Sequence, residues 1–243
     1  MSREFEIRRE VELPATPEEV WDAVATAEGN AAWLFPNETP TSQGETGRFG
    51  TATVFDPPRH FAVRVEGENG WFNAIEDVIE ARGGGTTVLR YMHSGIFVDD
   101  WDNQYDAANQ HTDFYLHTLG EYLRHFKGRT ATYVGDSPGG IQGPEASTQP
   151  GALDRLKAAL GLPDGAAEGD RVSISVEGIG PVEGEVDYLR GNFIGVRTTD
   201  ALIRFFGRNV WGMPVGMQVH QFDGVDAAQA KRAWSDWLGA VYA

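Results

Sequence analysis

Arg9 is the first residue in this chain that asks for a chemical explanation. It stands in the row Phe5-Ile7-Arg9-Val11-Leu13, opposite Glu4, Glu6, Arg8, Glu10 and Glu12. That alternation is the period-2 pattern of a half-buried strand, with Arg9 on the apolar face. A guanidinium there needs a carboxylate or a bound anion, because an unpaired buried charge is very costly. A second row, Thr87, Leu89, Tyr91 and His93, shares one face of the run 86–94, and its apolar members turn that face inward. His111 lies on the flank of a helical stripe further along. Arg, His and Tyr around an apolar cavity can polarise a carbonyl or relay a proton, since a buried histidine near charge titrates close to neutrality. The plainer account is structural, with Arg9 paired to a carboxylate and His93 bonded to backbone.

Aromatic residues gather around the same expected cavity: Trp33, Phe35, Trp71, Tyr91, Phe97, Trp101, Tyr105 and Tyr115. With Arg9, His93 and His111 they form the candidate ligand-binding set, and no catalytic residue is assigned. An apolar lining with a few convergent polar groups is the composition of a binding pocket. Rings of this size can also fill such a space, because close packing is the default for interiors.

Other chemistries find little support. The chain has no cysteine, hence no disulfide, thiol nucleophile or thiolate metal site. His111 and His117 are six apart and point to different helix faces, and no His-x-x-x-His pair exists, so no metal is expected. Gly83-Gly84-Gly85 joins two strand-like runs and reads as a hairpin turn instead of a phosphate loop. No serine in a Gly-x-Ser-x-Gly elbow is expected, and no cofactor is expected. Asp99, Asp100 and Asp102 read as a helix start, where acids favour the dipole. His220 is out of phase with Val215, Met217 and Val219, which predicts an exposed side chain.

These residues need elements to hold them. After the opening strand, Thr16-Pro17-Glu18-Glu19 has the form of an N-cap, a first-turn proline and early acids, followed by Val20, Trp21, Val24 and Ala27 at helical spacing. Strands are predicted at 47–55, 60–66, 71–80 and 86–94, and a long helix from Asp99 to near Gly128. One helix face carries Trp101, Tyr105, Ala108, Thr112, Tyr115, Leu116, Leu119, Leu123 and Phe126; Phe114 falls opposite, which predicts cover on that side too. The segment 133–150 is Gly/Pro-rich and reads as a linker between a domain at 1–132 and a smaller one at 151–243. The latter begins with a helix, Ala152 to Leu160. Strands follow at 171–176, 182–189, 192–197, 201–206 and 214–222, and an aromatic-striped helix from Val225 closes the chain. Both segments run from strands into a terminal helix, which suggests a duplication whose second copy lacks the opening strand.

Four stretches of the first segment resemble the START-like (SRPBCC, birch-pollen-allergen-like) superfamily, and within it the heat-shock-protein ATPase activator homologues. They are Pro14 to Val24 with Ala32-Trp33-Leu34; Phe55-Asp56-Pro57-Pro58-Arg59; Gly84-Gly85-Thr86 leading to His93-Ser94-Gly95; and Trp101 with Tyr105, Leu119 and Tyr122-Leu123. The resemblance implies an α+β helix-grip fold, a curved antiparallel sheet around a long C-terminal helix with a cavity between them. The element order agrees independently. The superfamily includes lipid carriers, hormone receptors, cyclases and hydrolases, so fold alone does not name the function.

The leading expectation is a protein that binds a small hydrophobic or amphipathic molecule in the first domain. The alternatives are a cyclase- or hydrolase-like enzyme using Arg9, Tyr91, His93 and His111, and an interaction module, either a homodimer or a partner of a chaperone. The formal charge of −16, from 20 basic and 36 acidic residues, repels phosphate backbones and anionic lipids, so neither nucleic acid nor membrane is an expected partner. No run approaches the ~18 apolar residues of a membrane span, and Met1 leads into alternating charges, unlike a signal peptide. A cytoplasmic protein is expected.

Overall fold

The N-terminal alternation forms β1 (Arg3–Leu13), and its apolar row turns inward with Phe5, Ile7 and Leu13 buried. The computed structural model describes residues 2–243, and the chain divides into two compact units at Gly128/Arg129. In the first unit, α1 (Pro17–Ala25) and α2 (Ala27–Trp33) follow β1. Thr16 caps α1 in a capping box: its side chain accepts from the Glu19 amide, while Glu19 accepts from the Thr16 amide. Thr16→Ala should cost about 1 kcal/mol in chemical denaturation. Gly29 lets α2 press on α1 backbone to backbone, since a Cβ there would lie 1.9 Å from the Asp22 carbonyl.

The strands β2 (Thr46–Gly47), β3 (Gly50–Asp56), β4 (His60–Glu66), β5 (Phe72–Arg82) and β6 (Thr86–Phe97) then lead to α3 (Trp101–His125). All pair antiparallel in the order β1-β6-β5-β4-β3-β2, so the first strand lies beside the last. Register decides what faces α3. Arg9 pairs with Tyr91, Tyr91 with Asp77, and Asp77 with Phe61, which places these four in one row across the sheet. The core below them combines Trp21, Val24, Trp33, Phe61, Val63, Ile79 and Leu89 with Leu116, Leu119 and Leu123 of α3. Phe114 of α3 is fully buried.

The acids at the start of α3 satisfy local groups. Asp100 takes a left-handed conformation (φ 40°) and accepts from the Asn103 side chain, while Asp99 accepts from Gln104. Among the described residues no group of three or more His, Cys, Asp or Glu is placed to hold a metal ion. No helix among them is long and apolar enough to cross a membrane.

The second unit consists of β7 (Thr132–Val134), β8 (Ile141–Gln142), α4 (Ala152–Ala159), β9 (Arg171–Val176), β10 (Gly180–Arg190), β11 (Phe193–Arg197), β12 (Ala201–Phe206), β13 (Gly216–Gln221) and α5 (Ala227–Val241). Its sheet runs β7-β13-β12-β11-β10-β9, with β8 also on β13. Again the first strand lies beside the last. The expected absence of an opening strand is therefore corrected: β7 takes that place, three residues long and hidden at the edge of a turn-rich stretch. The segment 133–150, anticipated as a linker, contributes β8 and the last two residues of β7 to this sheet. Trp234 and Leu238 of α5 pack on Phe205, Met217 and Val219. His220 is not exposed but fully buried, with its ring 3.1 Å from Gln218 and edge-on to Tyr133. An internal strand can be covered on both faces, and alternation then no longer marks a wet side.

Candidate functional site

A cavity of about 220 Å³ lies between the sheet of the first unit and α3. Its walls come from β4, β5 and β6 on the sheet side and from Ala108, His111, Thr112, Tyr115 and Leu116 of α3 on the other. The segment 34–40, which follows α2, closes a third side. Asn30 anchors that segment from below, donating to the Val24 and Thr26 carbonyls and to Thr39, whose hydroxyl donates to Asn37.

Six of the eleven candidate residues line this space: Trp33, Phe35, Tyr91, His93, His111 and Tyr115. Trp33 is fixed by its indole N–H, which donates to the Ala23 carbonyl at 2.9 Å. His93 sits edge-on to Phe5 and within 3.2 Å of the Asn73 side-chain oxygen. His111 donates from Nδ1 to the Ala107 carbonyl, one turn earlier.

The other five lie elsewhere. Arg9 meets a carboxylate, binding Asp113 of α3 through Nε and Nη2 at 2.5 and 3.2 Å, and Asn109 at 2.8 Å. Its guanidinium is thereby held in a bond between β1 and α3. Trp101 stacks on Tyr105 at 4.7 Å with the Arg3 guanidinium over its ring, and donates to the Glu4 carbonyl. Phe97 stacks on Phe5, and Trp71 donates to the Ile96 carbonyl. These rings cover the outer end of the sheet and the first turns of α3.

Asp77 is the polar group that the candidate set lacks. It is 6% exposed and faces the cavity between Phe61 and Tyr91. Its carboxyl makes no hydrogen bond with another described residue. Burial pushes its pKa up to about 7, with a smaller contribution from Glu76. Burial also raises the Tyr91 hydroxyl, with Asp77 adding to the rise and a hydrogen bond with Thr112 opposing it. His93 is driven down to about 4 by the same desolvation. The cavity thus favours the neutral forms of Asp77, Tyr91 and His93. The signal for Asp77 was present in the alternation Asn73-Ile75-Asp77-Ile79, which puts an acid among apolar neighbours.

Gly135-Asp136-Ser137-Pro138-Gly139 spells a Gly-x-Ser-x-Gly pattern in the second unit. The strand before it has three residues and a short strand follows it, so the strand–turn–helix geometry of a nucleophile elbow is missing. A groove of about 600 Å³ in the same unit is more polar, mixing Trp234 and Ile203 with Arg171, Glu183, Asp200 and Asp223.

The strand order and the long helix define the first unit as a helix-grip domain. No family model matches the chain, and no curated protein matches it. Among solved structures, the Aha1 dimer from Colwellia psychrerythraea aligns at 20% identity over 51% of this chain and 99% of its own, with a TM-score of 0.43. Protein MLL2253 from Mesorhizobium loti aligns at 17% identity over 50% of this chain and 98% of its own, with a TM-score of 0.43. DynU16, from the dynemicin biosynthetic locus, aligns at 15% identity over 98% of this chain and 95% of its own, with a TM-score of 0.42.

Proposed function

We infer that the first unit binds a small, largely apolar molecule in the cavity between its sheet and α3. The observation that carries this is the open space itself: Trp33, Phe35, Tyr91 and Tyr115 surround about 220 Å³ and do not fill it. Drug-sized sites span ~300–1,000 Å³, so the ligand is small, a single ring or a short branched chain. The motifs shared with the START-like superfamily, and with its heat-shock-protein ATPase activator branch, agree with a pocket protein. Ala108→Phe tests the assignment, because Ala108 lines the cavity from α3. Saturation-transfer NMR with ethylbenzene should show binding to the wild type and its loss in a folded Ala108→Phe variant. Equal signals from both proteins, or none from the wild type, would contradict it.

A further inference from the structure

We propose that the ligand is a neutral molecule bearing a hydrogen-bond acceptor, such as a carbonyl oxygen, and that Asp77 holds it by donating the proton of its carboxylic acid. This rests on the cavity-binding function above and specifies the chemistry of its ligand.

Asp77 is a buried polar group on a wall that is otherwise mostly apolar, and it has no partner to satisfy it among the described residues. Buried polar groups are bonded in the great majority of cases, so an exception aimed into a cavity points to a bond made with the occupant. That bond can take two forms. A carboxylate would need a cation, and no Lys or Arg lines the cavity. A cationic ligand would also have to be desolvated in the surroundings that force His93 to its neutral form. A carboxylic acid, by contrast, needs only an acceptor, and one hydrogen bond then satisfies it without any buried charge. Tyr91, neighbouring Asp77 across the strands and bonded toward Thr112, orients the same end of the cavity.

The ionisable groups that face Asp77 bear on its titration. They are Tyr91 and His93 from β6, His111 and Tyr115 from α3, Glu38 from the segment after α2, and Glu76 beside it on β5. Arg9 of β1 is engaged by Asp113 of α3. The residue opposite on β4 is Phe61, which does not titrate. Between pH 5.5 and 8.5 Tyr91 and His93 hold their neutral forms. His111 needs its own control.

Three probes of one skeleton separate the cases: acetophenone, a neutral acceptor; 1-phenylethylamine, a cation; and ethylbenzene, which has neither group. Affinities are measured on the full chain by calorimetry or saturation-transfer NMR. Acetophenone should bind most tightly, and its affinity should fall by up to about thirty-fold from pH 5.5 to 8.5, the change in the protonated fraction of a group titrating near 7. Ethylbenzene binding should not vary with pH. Asp77→Asn, which keeps a donor, should bind acetophenone without the pH dependence, and Asp77→Leu should lose the preference for acetophenone over ethylbenzene. His111→Gln should retain the pH dependence. If acetophenone and ethylbenzene bind alike, or the amine binds best and tightens as pH rises, the inference is overturned while the cavity function stands. If none of the three binds, the cavity function itself fails.

Discussion

Asp77→Asn should change the pH dependence of stability more than any other single substitution in the first unit. The Asp77 carboxyl titrates near 3.8 in the unfolded chain and about 7 in the folded protein. Its folded-state pKa is raised, so its stabilising contribution is full below pH 4 and is lost as pH rises through 7. The loss amounts to about 4 kcal/mol. His93 acts in the opposite direction. Its pKa falls from 6.5 to about 4 on folding, so its contribution is full above pH 6.5 and is lost as pH falls toward 4, by about 3 kcal/mol. In the wild type the two slopes largely cancel between pH 4 and 6.5. Asparagine at position 77 removes one of them, and the variant should gain stability with rising pH across that window. Urea denaturation of both proteins from pH 4 to 8 measures this; parallel curves would show that Asp77 is not a buried acid.

Trp33→Ala is the second large effect. The side chain is 6% exposed, packs in the core beneath the cavity and donates to the Ala23 carbonyl. Its removal should cost ~3–5 kcal/mol, and the lost donor leaves a buried carbonyl without that bond. Trp101→Ala makes the contrast. Trp101 is partly exposed and its contacts are Tyr105, Arg3 and one backbone carbonyl, so the cost should stay near 1 kcal/mol. Equal losses in the two variants, measured by denaturant midpoints, would contradict the placement of the core.

The contrast between these two tryptophans shows what could be read along the chain. Helical periodicity correctly put Trp101, Tyr105, Thr112 and Leu119 on one face of α3, and alternation aligned Tyr91 and His93 in β6. Periodicity gives direction but not depth. A 25-residue helix extends past the cavity, and its first aromatics cover the sheet edge. Arg9 called for a carboxylate, and pairing supplies Asp113, more than a hundred residues away. Asp77 is harder to read: the alternation Asn73-Ile75-Asp77-Ile79 puts it among apolar neighbours, but Glu76 and Glu80 make its strand look solvated. Only the register with β4 and β6 sets it between Phe61 and Tyr91. His220 misled for a related reason, since alternation presumes one wet face and β13 is buried along nearly its whole length.

A small ligand bound in the first unit between the sheet and α3 is the reading on which the rest depends. Amide chemical-shift mapping during an acetophenone titration at pH 6 tests it most directly. The expected result is a saturable set of shifts at Asp77, Leu89, Tyr91, His93, Ala108 and Thr112, all residues of the cavity wall. Shifts confined to residues 129–243, or no saturable shifts in the first unit, would contradict it.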